Sequence, residues 1–388
     1  MFRIQTIDNI SPVGLKKLPR ENYEIASEIQ HPDVILLRSS NIHDLAIPSS
    51  LKAVGRAGAG VNNVPVDKLT QLGIPVFNAP GANANAVKEL VIAGMLMVCR
   101  NICVGWDYVR QIEGDDHALH QQVEKNKKQF VGFELQGKTL GVIGLGAIGV
   151  RVANAAIALG MDVIGHDPEI TVQRAWELSS AVQQANSVDE VIRHADFITV
   201  HVPLVDETQH LINASRLKIA KPTAVLLNFS RQGIVDDSAL LEALTANKLY
   251  GYVTDFPSKQ LLNNPRVIVL PHLGASTKEA EENCAVMVAE HIRDFLEKGH
   301  IRCSVNFPNV AMPKNGKQRL TIANANVPNM VAQISARLAA ANINIADLLN
   351  KSRGNVAYTV IDVNEDIPLK IIDDIRQIAG VLSVRVFQ

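Results

Sequence analysis

Three glycines and an aspartate, Gly144, Gly146, Gly149 and Asp167, are spaced to hold a dinucleotide. The glycines lie in Gly144-Leu145-Gly146-Ala147-Ile148-Gly149, between an apolar run at Thr139–Ile143 and an Ala-rich helical pattern that stops at Gly160. Gly144 permits a tight turn, Gly146 lets the main chain approach a pyrophosphate, and Gly149 lets the helix lie close on the strand. Ala147 and Ile148 carry the turn into the helix, whose first N–H groups are unpaired and favour phosphate. A second apolar run, Met161–Gly165, ends at Asp167, 18 residues beyond Gly149. A carboxylate there accepts hydrogen bonds from a ribose 2′-hydroxyl and repels a 2′-phosphate, so the pattern predicts NAD rather than NADP. A GxGxxG run alone marks many ordinary turns. Here the strand before it, the helix after it and the acid ending the next strand all agree.

A nicotinamide that takes up hydride needs two further groups: a cation for the substrate carboxylate and a base for the hydroxyl proton. Arg231, in Asn228-Phe229-Ser230-Arg231-Gln232-Gly233, follows an apolar run and enters a turn, where its fork can grip a carboxylate with two N–H groups. His272, in Pro271-His272-Leu273-Gly274-Ala275-Ser276-Thr277, also stands at a strand end, and imidazole exchanges protons near neutral pH. Most of the eleven histidines in such a chain serve structure or surface. Position is what singles out His272. Two loops rich in glycine and asparagine, 55–63 and 78–85, read either as tight turns or as walls of a substrate cleft beyond the strand ends.

The elements that must position these groups follow from periodicity. Short strands at Arg3–Ile7, Val34–Leu37, Ala53–Gly55 and Val76–Phe77 alternate with helical patterns, which implies a parallel α/β sheet. A second series, Thr139–Ile143, Met161–Gly165, Phe197–Val202, Val225–Phe229, Gly251–Phe256 and Val267–Leu270, does the same. Between them, 105–133 reads as polar and irregular. A helix opening at the capping box Ser276-Thr277-Lys278-Glu279 carries the chain back to the first domain. Pro308, Pro313 and Lys314-Asn315-Gly316-Lys317 read as a linker. The last 70 residues run strand, helix, strand, strand, helix, strand, the ferredoxin-like order.

The expected fold class is α/β: two Rossmann-like or flavodoxin-like parallel-sheet domains, followed by a ferredoxin-like α+β domain. The expected division is 1–100 with 276–306 as a discontinuous substrate-binding domain, 101–275 as the NAD-binding domain, 307–318 as linker and 319–388 as a C-terminal regulatory domain.

A net charge of −1 gives no global attraction to nucleic acid or anionic membranes. The longest apolar run, Leu90–Cys99, has ten residues, too few to span a bilayer. The N-terminus lacks the apolar core of a signal peptide. The four cysteines are isolated in apolar or helical contexts, so a reducing, cytosolic setting and no metal are expected.

With these residues on the page, the sequence resembles the D-2-hydroxyacid dehydrogenase family, and within it the phosphoglycerate dehydrogenases that end in an ACT domain. GRAGAGVNNV, NAPGANANAVKELV, GKTLGVIGLGAIG, DFITVHVPL, LLNFSRQGIVDD, PHLGAST and the terminal 70 residues carry the likeness. It implies an NAD-dependent oxidation of 3-phospho-D-glycerate, the first step toward L-serine, with Arg231 as catalytic arginine and His272 as acid/base. Arg56, Ala57, Gly58 and Asn85 then belong to the substrate loops, with Lys127 or Lys128 as further phosphate cations. Val202, Pro203, Ser230, Asp255 and Gly274 lie on the cofactor side, Asp255 near the nicotinamide carboxamide. The ACT resemblance implies L-serine as effector at Asn324, Asn326 and Asn344, and a homodimer or homotetramer. Another 2-hydroxyacid dehydrogenase, such as a glyoxylate or hydroxypyruvate reductase, and a non-catalytic NAD(H)-sensing protein are the alternatives. The sequence departs from the family at one point: no acid occurs between Phe256 and His272, where the family carries a glutamate partner for the histidine. Asp255, Glu279, Glu281 and Glu282 are the carboxylates left for that role.

Overall fold

The computed structural model describes all 388 residues, which divide into two compact units, Met1–Asn83 with Lys278–Gln388, and Ala84–Thr277. No helix is long and apolar enough to cross a membrane.

The second unit holds a seven-stranded, all-parallel sheet of β6 (Thr139–Ile143), β7 (Asp162–His166), β8 (Gln183–Gln184), β9 (Phe197–Val200), β10 (Val225–Asn228), β11 (Gly251–Thr254) and β12 (Val267–Val269), in the order β12-β11-β10-β9-β6-β7-β8. Helices cover both faces, so β9, β10 and β11 are buried at every position, as parallel strands require. From β6 the chain winds outward to β7 and β8, then returns to lay β9 on the other side of β6. That reversal opens a crevice beyond the strand ends, where ligands of such sheets bind.

The first unit, residues 1–83 with 278–388, contains two sheets. The parallel one is made of β1 (Phe2–Thr6), β2 (Tyr23–Ala26), β3 (Val34–Leu37), β4 (Ala53–Arg56) and β5 (Val76–Phe77), in the order β2-β1-β3-β4-β5. The antiparallel one comprises β13 (Gln318–Ala325), β14 (Ile345–Arg353), β15 (Val356–Val363) and β16 (Val381–Phe387), in the order β14-β15-β13-β16. Its helices, Met330–Ala340 and Leu369–Arg376, bury Ile334, Leu338, Ile372 and Ile375 against Leu320, Ile322 and Ile361. The fold class is thus the expected one. β2 was not foreseen: Tyr23-Glu-Ile-Ala is a four-residue strand with little alternation to reveal it.

Three segments differ from expectation. Helix Ala84–Cys99 lies with the second unit, so the boundary falls at 83/84 and not at 100. Its Val91, Met95 and Val98 pack among Leu140, Leu227 and Val253, and Gly94 lets Phe229 and Val253 approach to where a Cβ would stand 3.1–3.2 Å from them. Periodicity shows that a helix has an apolar face, not which sheet receives it. The stretch 105–133 is largely helical, with Ile102–Arg110 and Asp116–Asn126, the latter capped by the Asp115 carboxylate accepting from the Ala118 N–H at 2.9 Å. Polar helices leave no apolar stripe to read.

The third difference is the segment 307–318. Phe307, Val310 and Met312 are buried in one cluster with Phe295, Ala323, Val356 and Tyr358, so this segment is packed core, not a free linker. Beside it Arg319, fully buried, binds Asp362 through Nε at 2.7 Å and Nη2 at 2.8 Å. Its remaining donors reach the carbonyls of Met312 and Lys298 and the ring of His300.

Candidate active site

The dinucleotide turn leaves the carboxyl end of β6, at the point where the strand order reverses. Gly144 adopts φ +92° and its N–H donates to the His166 carbonyl at 2.9 Å. A Cβ at Gly149 would stand 1.9 Å from the Gly144 carbonyl oxygen, so only glycine lets this helix start so close to the strand. A Cβ at Gly146 would meet no atom within 4 Å. No protein atom accounts for that glycine; it faces open space where a ligand can approach. The helix Gly149–Ala158 begins with no side-chain cap, its Val150 N–H turning back to the Gly146 carbonyl at 3.1 Å, and the partial positive charge of its N-terminal end favours an anion. Asp167, just past β7, accepts from Leu145 N–H at 2.8 Å and Glu169 N–H at 2.9 Å, which leaves lone pairs for a ribose. An open cradle, an uncapped helix end and an acid fit the diphosphate and ribose of NAD.

The facing wall comes from the ends of β9 and β10. His201 sits beside the Gly144 turn, 2.9 Å from the Thr199 hydroxyl, and desolvation pushes its imidazole down to about 3, so the ring stays neutral. The Ser230 hydroxyl donates to the Val202 carbonyl at 2.5 Å, tying the two loops together, and the Thr208 hydroxyl donates to the Pro203 carbonyl at 2.6 Å.

Arg231 is held by a residue that the sequence reading passed over. Asn228, buried at the last position of β10, accepts from the Ser230 N–H at 3.1 Å and donates to the Arg231 carbonyl at 2.9 Å. The Thr254 hydroxyl in turn donates to the Asn228 carbonyl. Arg231 itself is exposed, with one N–H on the Ser230 carbonyl at 2.7 Å. A buried asparagine ending a strand was the available signal, because such a group must spend its hydrogen bonds on nearby backbone.

Asp255 and His272 come together through the pairing of β11 with β12. The His272 N–H donates to the Asp255 carbonyl at 2.9 Å, and the residue sits at φ +49°, which brings its ring against Phe256 with centroids 4.9 Å apart. Asp255 is buried. Its Oδ2 accepts from the Gly274 N–H at 3.0 Å, and its Oδ1 is buried without a partner. Burial raises its carboxyl above the ordinary range, opposed by the Gly274 N–H and by the charges of His272 and Arg231. One carboxylate therefore feels both the arginine and the histidine. Of the acids left open by the sequence, Asp255 lies in the same unit as His272 and stands by it. In the other unit Glu281 is engaged by Arg38 at 2.7 Å and Glu282 lies 3.9 Å from Lys278.

In the first unit, the Arg56 side chain crosses its own loop. Its Nε donates to the Arg38 carbonyl at 2.9 Å, and a Cβ on Gly58 would stand 1.6 Å from its Nη1, so that glycine is what makes room for the guanidinium. Ala57 is buried, its N–H on the Leu37 carbonyl. Asn85 lies in the first turn of the helix Ala84–Cys99, bonded to Glu89 and Lys88, and not in a loop. Lys127 is exposed and paired with Glu124, and Lys128 stands beside it in a short 3-10 turn.

The three asparagines of the C-terminal sheet are not brought together. Asn324 is buried near the end of β13, level with Ala357 of β15, and Asn326 donates to the Gly354 carbonyl at that same end. Asn344 precedes β14, whose first residue pairs with Val363 at the opposite end of β15, roughly 20 Å away at ~3.4 Å per residue.

Known proteins match the chain over most of its length. Residues 92–274 match the model of the D-isomer specific 2-hydroxyacid dehydrogenase NAD-binding domain. The chain is 38% identical over 303 residues to a D-3-phosphoglycerate dehydrogenase of Methanocaldococcus jannaschii, covering 76% of this chain and 55% of that protein. To the D-3-phosphoglycerate dehydrogenase of Haemophilus influenzae it is 33% identical over 348 residues, covering 87% and 81%. Among solved structures, the NAD+-bound 3-phosphoglycerate dehydrogenase of Entamoeba histolytica superposes with a TM-score of 0.61 at 26% identity, over 79% of this chain and 98% of that one. The chain spans 55–60% of the length of the first three curated relatives. A dinucleotide turn at the sheet's reversal, an arginine and a histidine acting on one buried acid, and this degree of shared sequence place the chain in the D-isomer specific 2-hydroxyacid dehydrogenase family.

Proposed function

We propose that the chain oxidises 3-phospho-D-glycerate to 3-phosphohydroxypyruvate with NAD as hydride acceptor. The observation that carries the reading is the convergence of Arg231, Asp255 and His272 at the ends of β10, β11 and β12, within the sheet that bears the dinucleotide turn. NAD supplies the hydride acceptor. Arg231 holds the substrate carboxylate and steadies the oxygen that becomes a carbonyl; His272 takes the hydroxyl proton. Asp255, with an oxygen to spare, meets the nicotinamide carboxamide. By their likeness to the family's substrate loops, Arg56 is assigned as a cation for the substrate's anionic end and Asn85 as a substrate-binding residue. Lys127 is spent on Glu124, which makes it a poor phosphate ligand.

The C-terminal sheet is assigned as an amino-acid sensor for L-serine, and the protein as a homodimer or homotetramer. Because Asn324 and Asn326 lie at one end of the sheet and Asn344 at the other, a serine site that uses all three takes them from two copies.

The test is NAD reduction by 3-phosphoglycerate, with NADH oxidation by 3-phosphohydroxypyruvate, glyoxylate and hydroxypyruvate run alongside. Turnover fastest with the phosphorylated pair is expected, with His272→Ala and Arg231→Gln each losing about 100-fold or more. Preference for glyoxylate would reassign the substrate. NADH binding without turnover on any of them would overturn the enzyme.

A further inference from the structure

His272 is fixed in an unusual way. Its backbone is pinned by N–H bonds to the Asp255 and Leu270 carbonyls, 2.9 and 3.1 Å, in a left-handed conformation that a non-glycine residue adopts at some cost. Within its own unit, residues 84–277, its ring nitrogens make no hydrogen bond. The ring would therefore be free to turn about its side-chain bonds, except that one face of its surroundings is filled by Phe256, tilted 57° to it at 4.9 Å between centroids. Phe256 is itself set by the sheet: it follows Asp255 at the end of β11, and its N–H donates to the Thr254 hydroxyl at 3.1 Å. The pairing of β11 with β12, Thr254 opposite Val269, brings the two rings level.

We propose that Phe256 is the positioning residue for the His272 imidazole, orienting by ring contact a base that has no hydrogen-bonded acid partner. The proposal rests on the reading of His272 as acid/base. An aromatic neighbour of this kind restricts the ring to an orientation while leaving both nitrogens open for substrate. The charged groups acting here are Asp255, and Arg231 through the same carboxylate. Asp255 Oδ2 is committed to the Gly274 N–H, which leaves the orientation of the imidazole to the phenyl ring.

The experiment compares Phe256→Leu, Phe256→Ala, Phe256→Tyr and Phe256→Trp in the full chain, with NAD affinity and thermal melting as controls. Expected for Leu and Ala is a fall in kcat of roughly 10- to 100-fold, as misorientation of a reacting group produces, with NAD affinity within about twofold of wild type. KM for the hydroxy acid moves less than kcat, because the substrate's own contacts are left in place. Tyr and Trp keep kcat near wild type. Should Ala fail to fold, Leu decides. A Leu variant with wild-type kcat overturns the proposal, as does loss of turnover that Tyr and Trp fail to restore. Failure of the underlying reading looks different: His272→Ala would then turn over normally while the Phe256 variants changed nothing.

Discussion

The Leu145 N–H and the Asp167 carboxylate, 2.8 Å apart, close the turn after β6 onto the end of β7. The acid that would read the ribose is thus the same group that shapes the loop for the pyrophosphate. Cofactor choice and loop conformation are coupled through one side chain.

Asp167→Ala is expected to weaken NAD binding by about 10-fold or more, the loss of one or two charge-assisted hydrogen bonds, and to narrow the gap between NAD and NADP by removing the repulsive carboxylate. Fluorescence titration of both cofactors checks it. A variant that binds NAD as wild type and still rejects NADP would contradict the assignment.

Gly146 and Gly149 separate ligand from fold. Gly146→Ala meets no protein atom, so melting should stay within about a degree while NAD affinity drops. Gly149→Ala sets a Cβ 1.9 Å from the Gly144 carbonyl, and overpacking of that kind costs about 1–3 kcal/mol or more. Melting curves and NAD titration on both variants should give opposite patterns.

The buried Arg319–Asp362 pair makes a pH prediction. Burial alone would raise the Asp362 carboxyl, but the Arg319 guanidinium and the Asn315 N–H hold it below the ordinary range. A lowered folded value means the stabilisation is present above the unfolded value, ~3.9, and is lost as pH falls through the folded one. Arg319→Met leaves a bare buried carboxylate and should cost about 3–5 kcal/mol at neutral pH. Its stability should recover as pH drops toward 4, the reverse of wild type. Urea melts between pH 4 and pH 8 would show whether the slope inverts.

Asp255 gives the opposite sign. Its carboxyl is raised by burial, so ionising it works against the fold, and wild type loses stability as pH climbs through that value. Asp255→Asn cannot ionise. It should melt no lower than wild type at neutral pH while losing at least about 10-fold in turnover, as groups kept for function at a cost to stability do. A variant that is both less stable and fully active would refute this.

Much of the dinucleotide unit was legible because its signals are local: glycines a few residues apart, apolar runs of strand length, and an acid at the end of the next run. Arg231 and His272 were legible as residues at strand ends. Their common partner was not, since Asp255 meets His272 only through the register of β11 on β12, a relation between segments about fifteen residues apart. Nor was the unit that claims helix Ala84–Cys99, because an amphipathic stripe carries no address. The segment 307–318 misled for a related reason. Its prolines and lysines look like solvent-exposed chain, but Phe307, Val310 and Met312 between them decide where it lies.

That packed segment changes how the C-terminal sheet should be regarded. Engineers often trim a regulatory tail to free an enzyme from its effector, treating the tail as an attachment. Here Phe295 and Phe307 lose their cover if the chain is cut before Gln318, and the Met312 carbonyl loses the guanidinium that binds it. Relief from the proposed effector control is better sought by changing single surface side chains than by shortening the polypeptide.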